Sequence, residues 1–306
     1  MTTEPTDADT IPLTIEQLWI YPIKSCAGIR LTSVELLETG LDWDRTWMVV
    51  DGRGEFVSQR ELPRMALIQP RLHLGQLELR APGMLTLHLA LDEAESPRRV
   101  RVWDDEVDAY DMGDVAAQWF TDFLEARQHP GLHGGVRVVR FDPDVRRLAS
   151  LKWTGGIEAP THFSDGFPLL VVSQAAVDDL NERLAVLGQG PVGVERFRAN
   201  VVLGGLEAHD EDRLAEIVLQ AQVSGGDGEP PVVRLQPVKP CARCTIPDVD
   251  PATAEVGQAV APMLQTYRQD RRLMGSVTFG MNAIVREGGG QMLHEGMVGR
   301  GVWGAW

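Results

Sequence analysis

Thr14-Ile15-Glu16-Gln17-Leu18-Trp19-Ile20-Tyr21-Pro22-Ile23-Lys24-Ser25 is the stretch from which the fold is read. Its first eight residues are rich in Ile, Leu, Trp and Tyr. Such side chains suit a pleated, half-buried surface, so TIEQLWIY predicts a strand. Pro22 has no N–H for a ladder and ends it. Ile23 to Gly28 follows as a tight basic and polar turn. Further along, Thr32 to Leu37 predicts a second strand, with a turn at Gly40. Asp42-Trp43-Asp44-Arg45 leads into the apolar run Thr46 to Val50. Asp51-Gly52-Arg53-Gly54 is a hairpin signal, with Val57 to Arg60 returning and Met65 to Ile68 as another short strand. Arg71 to Leu91 forms two alternating segments about Ala81-Pro82-Gly83, a hairpin with a Pro-Gly turn. Arg98 to Tyr110 alternates again. Short strands at a spacing of roughly ten residues point to a barrel or sandwich.

Helical periodicity is rarer. Val115, Ala116, Trp119, Phe120 and Phe123 recur at helical spacing, with Asp114 as the expected cap. Asp142 to Ile157 has no clear period and is expected to be a loop. Leu169 to Val172 predicts a buried strand. Ser173 is then the cap of a helix carrying Val177, Leu180 and Leu184 on one face. Strand signals follow at Val201 to Leu203, Glu216 to Val223 and Val232 to Leu235, the last two flanking a flexible SGGDGEP loop. Pro262 to Arg271 is expected to be helical in part, and Val277 to Val285 and Met297 to Val302 are the last strands. The fold class is therefore mainly β with a few helices, in two β-rich halves that meet near Gly131 to Gly135.

A chain of 306 residues is long enough for one large domain or two ordinary ones. No apolar run approaches the roughly 18 residues that span a bilayer. Met1 to Thr10 is polar and acidic, which predicts a short disordered tail rather than a signal peptide, and with it a cytoplasmic location and no membrane partner. The net charge of −15 argues against nucleic-acid binding, which needs a basic footprint. An anionic ligand would need a local cluster of Arg and Lys set against that field. Lys24 with Ser25, Arg45, Arg198 with Asn200, and Arg243 all stand beside predicted strand ends and turns.

Three cysteines, Cys26, Cys241 and Cys244, make no disulfide framework. Cys241 and Cys244 lie in Lys239-Pro-Cys-Ala-Arg-Cys-Thr-Ile-Pro-Asp-Val-Asp250. Zinc would need a second pair of ligands at knuckle spacing, which is lacking. A thioredoxin-like pair would need a helix after the first cysteine, where Pro247 stands. Buried thiols in a β-rich core are a third reading. The fourth is one thiolate bound to a soft transition metal, with a cofactor supplying the other ligands and Arg243 a positive field.

On LWIYPIKSCAGI, GLDWDRTWMVVD, SDGFPLLVVS, RFRANVVL, KPCARCTIPDVDPAT and TYRQ, which run from residue 17 to about 269, the chain resembles the MOSC proteins. Within them it is most similar to the subgroup of the mitochondrial amidoxime-reducing component and its bacterial relatives. The resemblance implies an N-terminal MOSC-type β-barrel domain at 11–130, a MOSC β-barrel domain at 131–306, and a molybdenum–molybdopterin cofactor in the cleft between them. Cys244 matches the cysteine that ligates molybdenum and carries the catalysis. Lys24, Ser25, Arg45, Asp165, Gly166, Arg198, Asn200 and Arg243 fall in the cofactor-binding set. Gly166 and Phe167 stand where mitochondrial members have hydroxyl side chains, so any phosphate contact there would come from backbone N–H groups. The implied activity is reduction of N-hydroxylated compounds (amidoximes, hydroxylamines) by oxygen transfer to the metal. With no cysteine after Cys244, no iron–sulfur cluster is expected. Electrons are then expected from a separate ferredoxin-, flavoprotein- or cytochrome b5-like protein. The chain has no room for the pyridoxal-phosphate domain of the fused sulfurases. A cofactor carrier or a persulfide carrier is the alternative.

Overall fold

The computed structural model describes residues 9–91, 96–220 and 231–304. Most of the expected tail and the SGGDGEP loop lie outside these residues. Seven strands form a closed barrel: β1 (Thr10–Ile20), β2 (Leu169–Ser173), β3 (Val201–Gly204), β4 (Leu214–Gln220), β5 (Val232–Ala242), β6 (Ser276–Glu287) and β7 (Val298–Trp303). Around the wall they run β2-β3-β1-β7-β4-β5-β6, and pairing of β6 with β2 closes the ring. Only β2 and β3 are parallel. A parallel pair needs a crossover, and the helix Gln174–Val186 lies within it.

Strand alternation sorts the side chains. Leu13, Ile15, Val171, Val201, Leu203, Ile217, Leu219, Val233, Leu235 and Ala283 form one buried cluster, spaced two apart along each strand. The intervening Leu170, Val172 and Val202 pack outward, against Ala176, Val177, Leu180 and Leu184 of Gln174–Val186 and against Val260 and Leu264 of a second helix, Val260–Tyr267. Ser173 caps the first of these helices as expected, its Oγ accepting from the N–H of Ala176 at 3.2 Å. At Gly280 the β6 backbone takes φ +77°, and an added Cβ would sit 2.7 Å from the carbonyl oxygen of Val171. Glycine at that point lets β6 approach β2 and the barrel close.

A four-stranded sheet, Trp47–Val50, Arg137–Phe141, Asp105–Asp111 and Ser96–Val102, stands beside the barrel. On one face Trp47, Val49 and Val138 join a core with the helix Gly113–Phe123 and the three-stranded sheet Gln69–His73, Gln76–Arg80, Leu87–Ala90. On the other face Met48, Val50, Val139 and Phe141 surround Phe163, which comes from the loop before β2. The mainly β fold with a few helices is thus the observed architecture. Among the described residues no helix is long and apolar enough to cross a membrane.

Local expectations fail where short apolar runs are ambiguous. Met65 to Ile68 is largely a 3₁₀ turn, Pro63–Leu67, because Pro63 at its start presets a helical φ. Val57 to Arg60 is irregular, the hairpin ending at Phe56. Asp114 is not the cap of Gly113–Phe123: Met112 holds that position, and Asp111 Oδ1 accepts from the N–H of Gly113 instead. Asp142 to Ile157 contains a short strand, Arg147–Leu148, and a helical turn, Leu151–Thr154.

A buried acid lies in the turn joining β3 to β4. Glu211 is 0% exposed beside Ser173 and Asp212, and burial, reinforced by the Asp212 charge, pushes its pKa up to about 7. The folded state therefore favours the neutral acid. Its stabilising contribution is complete below the ordinary value of 4.5 and is lost as pH rises through about 7. Glu211→Gln should match the wild type at pH 4 and exceed it at pH 8, by up to about 3 kcal/mol. Denaturant melts at the two pH values test this; a pH-independent difference would rule it out.

Candidate functional site

A cleft between the barrel and the four-stranded sheet encloses about 780 Å³, its open mouth included. Lys24, Ser25, Arg45, Asp165, Gly166, Arg198, Asn200, Arg243 and Cys244 all line it. The cleft gathers turns that are far apart in sequence but adjacent at one end of the barrel. Its charged lining is Lys24, Arg45, Arg60, Arg198 and Arg243 against the single carboxylate Asp165. A protein of net charge −15 therefore concentrates positive charge here.

The order begins where β1 ends. The N–H of Tyr21 donates to Asp44 Oδ1 at 2.8 Å, and the same carboxylate accepts two N–H bonds from Arg45 at 2.5 and 2.7 Å. Both bonds come from Nη1, so this charge-assisted contact anchors that end of the guanidinium. The second Arg45 nitrogen reaches the carbonyl of Arg198 at 2.9 Å. The guanidinium groups of Arg45 and Arg198 lie 4.5 and 4.2 Å from the Tyr21 ring centroid. Arg198 Nη1 donates to the carbonyl of Cys26 at 2.7 Å, while Nη2 is buried with no hydrogen-bond partner among the described residues. Burial, then the neighbouring Arg45 charge, brings the Arg198 pKa down to about 10, so it remains a cation at neutral pH. An unpartnered buried cationic N–H beside a second guanidinium is a vacancy that an anion would satisfy. Ser25, Arg45 and Arg198 all hold left-handed φ, at +69°, +48° and +59°. Such backbone is costly for residues other than glycine and gathers at functional sites.

Lys24 is 6% exposed and donates to the carbonyl of Phe163 at 2.8 Å and to Asp165 at 2.5 Å. Burial lowers its pKa against the pull of Asp165. The surrounding cleft opposes ionisation of Asp165, though its side chain is 74% exposed, and Lys24 and the indole N–H of Trp103, 3.1 Å away, hold its pKa well below the usual carboxylate range. Arg147 clasps the same loop, bonding the carbonyls of His162, Ser164 and Asp165 at 2.8, 2.7 and 3.3 Å. Gly166 borders open space, with no atom within 4 Å of where a Cβ would stand, so its backbone is approachable. Asn200 is committed to the scaffold: Oδ1 accepts from the N–H of Leu170 and Nδ2 donates to the carbonyl of Trp19.

The two cysteines of the C-x-x-C stretch differ. Cys241, on β5, is half-buried and packs against the helical side of the barrel; Cys244, beyond the strand, is exposed on the cleft. Arg243 Nη1 donates to Cys241 Sγ at 3.0 Å and Nη2 to the carbonyl of Phe197 at 3.0 Å. Its direct bond is thus to Cys241 rather than Cys244, and its Nε is buried without a partner among the described residues. The acidic residues after Cys244 brace its segment. Asp248 Oδ1 accepts from the N–H groups of Val260 and Ala261, and Asp250 pairs with Arg196 at 2.7 Å. No three His, Cys, Asp or Glu side chains converge on a metal-holding point among the described residues. A zinc cage therefore lacks its donors here, whereas a metal brought by an anionic cofactor needs only one thiolate.

Sequence reasoning missed Arg60 and Trp103. Arg60 lies 4.7 Å from the Trp103 ring, and Trp103 stands 43% exposed on a hairpin turn. A tryptophan followed by two aspartates, inside a run otherwise read as alternating, was the available signal.

Comparison with known proteins gives two domain matches, the MOSC N-terminal beta barrel domain at residues 12–127 and the MOSC domain at residues 158–301. The chain is 32% identical to mitochondrial amidoxime reducing component 2 of Rattus norvegicus, over 83% of this chain and 72% of that protein. It is 31% identical to mitochondrial amidoxime-reducing component 1 of Homo sapiens, over 90% of this chain and 80% of that one. Similarity to molybdenum cofactor sulfurase of Homo sapiens, 28% identical, spans 88% of this chain but 30% of that protein.

Asp165→Asn should leave the buried Lys24 ammonium with neutral acceptors and no anionic partner. Because the Asp165 side chain is 74% exposed, the expected loss is about 1–2 kcal/mol, less than for a fully buried pair. Lys24→Met in the same chain should recover part of it. Denaturant titration of wild type, both single variants and the double variant gives the coupling energy, and a value of zero would show that the pair contributes nothing.

Proposed function

Since the chain belongs to the MOSC family, we propose that it holds a molybdenum–molybdopterin cofactor in this cleft and reduces N-hydroxylated compounds, with electrons from a separate donor protein. One observation carries the reading most: an exposed thiol, Cys244, shares a single cleft with Arg45 and with an Arg198 whose buried N–H lacks a partner among the described residues. When bound, the cofactor supplies two-electron oxygen-atom transfer at molybdenum.

The protein's part is positioning. Cys244 provides the one thiolate ligand. Arg198 offers its free Nη2 to the anionic portion, with Arg45 and Lys24 adding charge. Gly166 leaves its backbone open to the same group. Asp44 and Tyr21 keep the two guanidinium groups in place, so little rearrangement is needed on binding. In balance, an amidoxime, two electrons and two protons yield an amidine and one water. Both electrons come from the donor protein.

The similarity to molybdenum cofactor sulfurase, together with the exposure of Cys244, favours a second reading: a carrier of cofactor or of persulfide sulfur without turnover. Turnover separates the two. Protein from a host that makes molybdopterin should contain about one molybdenum per chain and reduce benzamidoxime with an artificial electron donor. Cys244→Ser should lose both. Arg198→Ala should lower molybdenum content with an unchanged circular dichroism spectrum. Well-folded wild type without molybdenum would overturn the proposal; molybdenum without reduction would leave the carrier.

A further inference from the structure

A second groove meets the cofactor cleft at Cys244. It encloses about 680 Å³, its open mouth included, and shares Arg60, Arg243 and Cys244 with the cleft. Beyond these three its lining turns apolar, with Pro247, Ala261, Leu264 and Val277. Lys24, Arg45 and Arg198 take no part in it. Polarity therefore changes along the groove. At the thiol stand the guanidinium groups of Arg60 and Arg243. Farther on, only hydrocarbon walls and the ends of Thr245 and Gln265 remain.

The walls are held in place. Leu264 is 0% exposed and belongs to the core between the helices and the barrel. Asp248 Oδ1 accepts from Val260 and Ala261 at 3.0 and 3.1 Å, which ties the start of the Val260–Tyr267 helix to the turn containing Pro247. Ala261, half-buried, presents the smallest side chain of the wall.

We propose that this groove is the substrate subsite, and that it selects N-oxygenated compounds with an uncharged apolar body, aryl or alkyl. The N–O oxygen lies toward Arg60, Arg243 and Cys244, and the body lies along Ala261 and Val277, which the buried Leu264 backs from the core. The assignment rests on Cys244 as the metal ligand. A compound with no body would leave the hydrocarbon wall wet.

The test uses cofactor-loaded protein without electron donor, so that calorimetry reads binding alone. Wild type should bind benzamidoxime. Ala261→Phe fills the groove and should weaken that binding by at least about tenfold, while formamidoxime, which has no apolar body, should be affected less than about twofold. Gln265→Trp, on an exposed position of the same rim, should act in the same direction and covers the case of a misfolded Ala261→Phe. Absence of benzamidoxime binding by wild type, or equal binding by wild type and both variants, would overturn the subsite. Binding that responds to the variants without reduction on adding an artificial donor would uphold the subsite and sink the reductase. Reduction with binding indifferent to both variants would do the reverse.

Discussion

Two guanidinium groups share one buried tyrosine ring, and only one of them has a carboxylate. Arg45 is paired with Asp44; among the described residues Arg198 forms no ion pair. Like charges this close repel strongly where water is scarce. The arrangement persists because the Tyr21 ring attracts both cations and because carbonyl oxygens of Cys26 and Arg198 accept from them. It leaves a defined deficit of negative charge at the floor of the cleft. Three left-handed backbone positions, at Ser25, Arg45 and Arg198, bring the turns close enough for this to happen.

The presentation of Cys244 comes from a different constraint. β5 carries Pro237 and Pro240, which have no N–H for the ladder, and its register against β6 slips at both. Bulges bend and twist the strand that bears them. The last regular residue is Ala242, after which the chain leaves the wall with Cys241 still packed and Cys244 free. Two sulfurs three residues apart thus acquire unlike surroundings. Replacing Arg243 by Lys would not reproduce its fork between a sulfur and a carbonyl.

Much of this could be read before any coordinates. The Ile, Leu, Trp and Tyr of TIEQLWIY and the alternation in Arg71 to Leu91 and Arg98 to Tyr110 announced the mainly β fold, because a strand with two different faces leaves a period-two trace in its sequence. The turns that line the cleft were also legible, since basic residues stood where predicted strands ended. What escaped has physical reasons. Met65 to Ile68 is too short for its period to show, and Pro63 decided it. Asn200, which lines the cleft, also ties three strands together through its amide, a role visible only once Leu170 and Trp19 are beside it. Arg147 bonds carbonyls of a distant loop, and Arg60 meets the ring of Trp103 only in the fold, so their neighbours in the chain gave no hint of a place in the cleft wall. That Cys241 and Cys244 are unequal was read only through the resemblance, because the inequality depends on bulges, which no spacing encodes.

One consequence of the barrel concerns how it comes into being. Thr10 to Thr14 pair with Val302 to Val298, so neighbouring staves lie almost a full chain length apart in sequence. Until the final strand emerges from the ribosome, the first has an open edge and half its ladder bonds unmade. The smaller sheets, made between them in time, have their partners far sooner. Contacts of such long range slow folding, since the entropy of closing the loop is spent before the pairing rewards it. The cleft, which needs the end of the first strand fixed in the wall, would then be among the last parts of the molecule to take shape.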